Sequence, residues 1–160
     1  MKARLTLVVA ALFLATNFSF AQQDEECMLN LTLMNDYVKS KKYDEAYEPF
    51  MKVRNKCPKF NYAIYAYGEK ILKHKIDNSS GADQQAYIKD LMLLWDQGME
   101  YYPSKYSKGE VLVDKGNLMY DNQKQMNLTD QQVYDTYNKA YEEDLENFTS
   151  TKVYMCISLK

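Results

Sequence analysis

An all-α fold built from antiparallel helical hairpins is predicted by three observations. In the stretch Cys27–Pro58, Leu33, Met34 and Tyr37 recur at helical spacing, and Ala46, Phe50 and Val53 do so again further on. Between the two sets lies only the polar turn Ser40-Lys41-Lys42, too short for any arrangement but two helices packed side by side in opposite directions. Glycine and proline are scarce, 5 and 3 of 160 residues, which argues against a many-turned β protein.

The first 21 residues read as a leader. Lys2 and Arg4 open it, an apolar run interrupted only by Thr6 extends from Leu5 to Ala15, and Ser19-Phe20-Ala21 sets small residues at the positions that a cut after Ala21 requires. The apolar run is shorter than the roughly 20 residues that cross a bilayer. The layout resembles the export signals of Gram-negative bacteria, so the expected location is the periplasm or outside the cell, with no stable membrane insertion after cleavage. A polar leader, 22–26, follows. Removing Lys2 and Arg4 from the 20 Lys and Arg leaves 18 against 22 Asp and Glu, a net charge of −4 for the processed chain. There is no basic block; Lys39 to Lys42, with three Lys, reads as a solvated turn, and nucleic acid is not an expected partner. Tyrosine is abundant, with 15 residues; its ring buries while its hydroxyl stays wet, which suits helix interfaces and binding surfaces.

The helical part occupies 27–160. In its first segment, 27–59, Asn30, Leu33, Met34 and Tyr37 are spaced as one helix face. Ala46, Phe50 and Pro58 mark the second helix and its end, and Pro49 inside that helix is expected to kink or shift it. A shift of about 34 residues brings Ile64, Tyr67, Gly68 and Ile71 onto the first set. The partner half reads Leu91, Trp95 and Pro103, giving a second segment, 60–103, with 11 extra residues around 74–83. There Asp77-Asn78-Ser79-Ser80-Gly81 signals a loop, so a longer turn or extended helices are expected. The third segment, 104–147, sets Gly109, Leu112, Val113 and Gly116 against Val133 and Tyr137. Thr129 with Gln132 forms a capping box, and 8 extra residues fall near 122–128. Residues 148–160 read as a terminal cap or the start of a fourth segment, with the natural chain continuing past Lys160.

These spacings resemble the tetratricopeptide repeat, W-x2-L-G-x2-Y followed by A-x3-F and P. The resemblance implies hairpins stacked as a solenoid, whose first helices line a concave groove that holds partner protein segments. It departs from the family where Met34 replaces a small residue and where Pro49 interrupts the second helix.

Catalysis is not expected: His74 is the only histidine of the chain, it sits between Lys73 and Lys75 at a helix end, and no nucleophile elbow, phosphate loop or calcium loop occurs. No metal or cofactor is implied. Cys27 opens one helix and Cys57 closes the next, so antiparallel packing juxtaposes them, and a bridge is expected in an oxidising compartment; the alternative is two buried thiols. Cys156 has no evident partner. For the groove, helical spacing places Tyr62, Tyr65, Glu69 and Lys73 on the face of their helix opposite Ile64 and Gly68. The equivalent stripes are Met28, Leu31, Asn35 and Lys39 in the first segment and Ser107, Glu110 and Asp114 in the third. Asn35 with Lys39 faintly resembles a carboxylate clamp, but Glu69 and Asp114 would repel a carboxylate, so a mixed Tyr, Asn and Lys groove for an extended segment is the expectation. Two alternatives remain: the tyrosines present rings to envelope glycans, or the chain is the non-catalytic front of a larger protein.

Overall fold

A computed structural model of the chain describes residues 25–144. The leader, 1–21, the polar residues 22–24, the end of the third segment and all of 148–160, including Cys156, lie outside the described residues. The fold is all-helical: helix accounts for 83% of the described residues and no strand occurs among them. Seven α-helices are present among the described residues. α1 spans 25–39, α2 Tyr43–Lys56, α3 Ala63–Asp77, α4 Gly81–Tyr101, α5 Lys108–Asp121, α6 Gln123–Met126 and α7 Asp130–Glu143, with a 3-10 turn at Pro103–Lys105. No described helix is long and apolar enough to cross a membrane. The chain forms two compact units that divide between Ile64 and Tyr65.

Unit 1 contains the hairpin α1–α2. Glu26 pairs with Lys56 at 2.6 Å, and Cys27 is bonded to Cys57 with their Cα atoms 6.2 Å apart, so the open end of the hairpin is closed twice. The expected bridge is present. It also sets the rotational phase of α1. The buried seam is Cys27, Leu31, Met34 and Val38, with Asn30 beside it, and it meets Ala46, Pro49, Phe50 and Val53 of α2. This corrects the sequence reading on α1. Leu33, expected inside, is 39% exposed, while Leu31, expected on the groove, is buried. Spacing alone allows either stripe, and the Cys27 anchor selects the one in line with it. α2 runs unbroken through Pro49, whose ring is buried. Each fully buried side chain of this size contributes about 2 kcal/mol.

The turn between the two helices has a regular hydrogen-bond pattern and an unusual residue. Lys42 N–H donates to Tyr37 O at 2.8 Å and Lys41 N–H to Val38 O at 3.0 Å, the double bond pattern that closes many helix ends. The earlier of these two donor positions along the chain normally holds glycine because its φ is positive. Here it holds Lys41, at φ 58°, at a cost of about 1 kcal/mol. Lys42, at the cap of α2, makes no side-chain hydrogen bond to the helix.

Unit 2 holds most of α3 and all of α4–α7. α3 and α4 run antiparallel, since Tyr65 meets Tyr101, Glu69 meets Trp95 and Lys75 meets Tyr87. The loop signal at 77–81 corresponds to a three-residue connection, 78–80. Gly81, at φ +61°, begins α4, and the extra residues lengthen that helix to 21 residues rather than the turn. α5 and α7 are also antiparallel, from Ser107 opposite Asp144 to Asn117 opposite Tyr137. Gly116 is the reason they approach closely: a Cβ there would lie 2.5 Å from the Tyr137 ring, which is fully buried. Thr129 accepts from Gln132 N–H while Gln132 Oε1 accepts from Thr129 N–H, so the expected capping box starts α7. The extra residues of this segment fold as α6, which ends on Asn127 in the left-handed conformation that asparagine tolerates.

Candidate functional site

α3 buries Ile64, Tyr65, Gly68, Ile71, Leu72 and Ile76, an arc of about 140° at 3.6 residues per turn. That arc overlaps the stripe expected to line the groove. Tyr65 is 0% exposed, its ring 6.2 Å from Tyr101 and 5.6 Å from Tyr102. Its assignment to the binding face is therefore corrected. On the helix wheel Tyr65 falls between Gly68 and Ile76, next to Leu72, so it joins the packed face once α4 supplies rings for it to meet. Tyr62, just before α3, is half-buried. Asn61 Oδ1 accepts from Ala63 N–H at 2.8 Å and sets the start of the helix there.

Glu69 and Lys73 stay at the margin of the buried arc, and the fold brings them together. Lys73 Nζ lies 2.6 Å from Glu69 Oε1. The second carboxylate oxygen accepts from Trp95 Nε1–H at 3.1 Å, and Lys73 also stands over the Trp95 ring at 6.0 Å. Trp95 is buried, so the indole acts as a fixed donor beneath the pair and holds the Glu69 carboxylate in place. Sequence spacing shows the Glu69–Lys73 pair but not the indole, because that contact spans 26 residues and depends on the helix phases.

Asp114 on α5 belongs to the same neighbourhood. Its carboxyl is pushed above the usual carboxylate range, first by desolvation and then by the Glu69 carboxylate; Lys73 opposes the rise and Glu110, one turn earlier on α5, adds to it. The stripes expected for the second and third segments are thus within electrostatic reach of each other. The next residue on α5, Lys115, is largely buried and pairs with Asp96 of α4 at 2.5 Å.

In unit 1, Asn35 is half-buried and its Oδ1 is buried without a hydrogen-bond partner among the described residues, while Lys39 is exposed in the last turn of α1. His74 has its Nδ1 3.2 Å from Asn78 Nδ2, a contact that belongs to the end of α3. No group of three or more residues suited to a metal ion occurs among the described residues. The arrangement around Glu69 offers fixed charges and hydrogen-bond acceptors on a helical surface, which suits recognition of a polar segment. Compared with known proteins, the chain matches no family model and no curated relative.

Proposed function

We propose that the protein is an exported, non-catalytic interaction module of tetratricopeptide-like hairpins, and that it holds an extended partner protein segment along the polar face of α3 and α5. The observation that carries this reading is the fixed array Glu69–Lys73–Trp95 with Asp114 in its field. A buried indole that orients a surface carboxylate spends a donor on positioning a group which solvent would otherwise satisfy, and preorganised polar groups of this kind lower the cost of binding. The proximity of Glu69 and Lys73 to Asp114 also supports stacked hairpins, since in such arrays the first helices of successive repeats are neighbours. Protein is preferred to glycan as the partner because Tyr65, one of the two rings on the stripe expected to meet a sugar, is buried, and Tyr62 is half-buried.

A photo-crosslinking amino acid at position 73 tests the reading, with the same group at the exposed position 139 of α7 as the control. In the native envelope, a discrete protein adduct is expected at 73 and not at 139, and Glu69→Gln should weaken it. No adduct at 73, or the same adducts at both positions, would overturn the assignment.

A further inference from the structure

The tip of the first hairpin breaks two rules of turn chemistry. Position 41 needs a positive φ, where glycine or asparagine is free of strain, and it holds lysine. Position 42 caps α2, where serine, threonine, aspartate or asparagine would accept a backbone N–H, and it also holds lysine, which has nothing to accept with. Lys39, one residue before the turn, adds a third cation. All three are exposed, and none takes part in the ion pairs among the described residues. The hydrogen bonds of the turn run through the backbone, so the lysine side chains contribute nothing to its geometry. Residues that break local rules with no compensating contact are expected where function rather than stability selects them.

We propose that this tip, Lys39, Lys41 and Lys42, is a contact site for phosphate-bearing anionic lipid headgroups. Lysine is a compact, strongly hydrated point charge, not a fork that encloses one anion. A convex turn offers no cavity to desolvate a small ion. Three such charges on a tip gain substantially only from a surface that presents many phosphates at once. The processed chain as a whole is acidic, and Asp36, Asp44 and Glu45 lie close to the tip in sequence, so the contact is carried by these three lysines rather than by the net charge.

The test is sedimentation of the purified chain with phosphatidylglycerol vesicles and with phosphatidylcholine vesicles, at about 0.1 M salt, where charges are screened beyond about 10 Å. Retention on phosphatidylglycerol alone is expected. It should fall about fivefold for each of Lys39→Gln, Lys41→Gln and Lys42→Gln, on the order of 100-fold for all three, with helical circular dichroism unchanged. Lys59→Gln and Lys105→Gln, at exposed lysines in other connections, should leave retention as it was. Inorganic phosphate should compete no better than chloride at equal ionic strength. The proposal fails if the chain ignores phosphatidylglycerol, if phosphatidylcholine retains it equally, or if the triple variant still binds. It also fails if inorganic phosphate displaces it specifically, which would make the site one for a free anion. Binding to polyglutamate with no vesicle retention would reassign the tip to an acidic protein segment.

Discussion

In the hairpin α1–α2, the two helices are fastened at their open end by a covalent bridge and meet along large aliphatic and aromatic side chains, Met34, Phe50 and Val53 among them. In the hairpin α5–α7, no disulfide joins the described residues, and the contact is made by a glycine opposite a tyrosine, Gly116 and Tyr137, with polar closures around it. Tyr137 O–H donates to Asn117 at 2.9 Å, Ser107 O–H donates to Asp144 at 3.0 Å, and Lys108 pairs with Glu143. The first hairpin relies on chain restriction and apolar bulk, the last on close approach and directional bonds. The difference follows from what each pair of helices can bury. α7 offers only Val133, Tyr137 and Ala140 to its core, supported by the partly buried Leu112, Val113 and Met119, so shape and hydrogen bonds must supply what area does not.

The comparison can be broken most severely at the bridge. Cys27→Ser opens a loop of 30 residues and should cost about 3–4 kcal/mol by the chain-entropy account, read as a drop in the denaturation midpoint that reductant reproduces in the parent chain. If reductant leaves the midpoint of the parent unchanged, apolar packing alone holds this hairpin and the contrast with α5–α7 disappears. Gly116→Ala is the matching change at the other end. The added methyl meets a buried ring that has no free space to retreat into, and a loss of about 2–3 kcal/mol is expected, with faster amide exchange in α5 and α7. Thr129→Ala removes the capping box of α7 and should cost about 1 kcal/mol in thermal unfolding.

Smaller effects sharpen the comparison rather than break it. Lys41→Gly relieves the left-handed strain of the first hairpin and should stabilise it by about 0.5–1 kcal/mol, a gain visible in the same denaturation assay. Asp114→Asn addresses unit 2. A carboxyl whose folded pKa lies above its unfolded value favours folding below the unfolded value, and that contribution is lost as pH rises through the folded one. The parent should therefore lose a little stability as pH climbs through and just above the usual carboxylate range. The asparagine variant should show a flatter profile and be slightly more stable at neutral pH. An unchanged profile would mean that the Asp114 carboxyl is hydrated and outside the field of Glu69.

Local signals in the sequence read through to the structure with little loss. Thr129 and Gln132 are three residues apart and need only each other, so the start of α7 was legible. The run 77–81 breaks helices wherever it stands, and it does so here. Cys27 and Cys57 became a pair as soon as the hairpin was recognised. Long-range features were less legible. Leu33 and Tyr37 suggest one phase for α1, but an apolar-rich helix offers two adjacent stripes, and the one in line with Cys27 is buried. Periodicity assigns one packed stripe per helix and so puts Tyr65 on the binding face, whereas α3 is covered over a wider arc. Trp95 is marked in the sequence only by its spacing from Leu91; its role as a donor to Glu69 has no sequence signal, since nothing local joins residues 26 positions apart.

By itself, the sequence determined the helical class, the start of α7 and the break between α3 and α4, and it placed Cys27 and Cys57 at the same end of the first hairpin. These depend on periodicity, backbone conformational preference and the shortness of a turn, all of which act over a few residues. Only the tertiary structure decided which stripe of α1 is buried, that Tyr65 belongs to the core, and that Glu69, Lys73, Trp95 and Asp114 share one neighbourhood. Those outcomes depend on the rotation of each helix about its axis, and that rotation is settled by the neighbours each helix packs against.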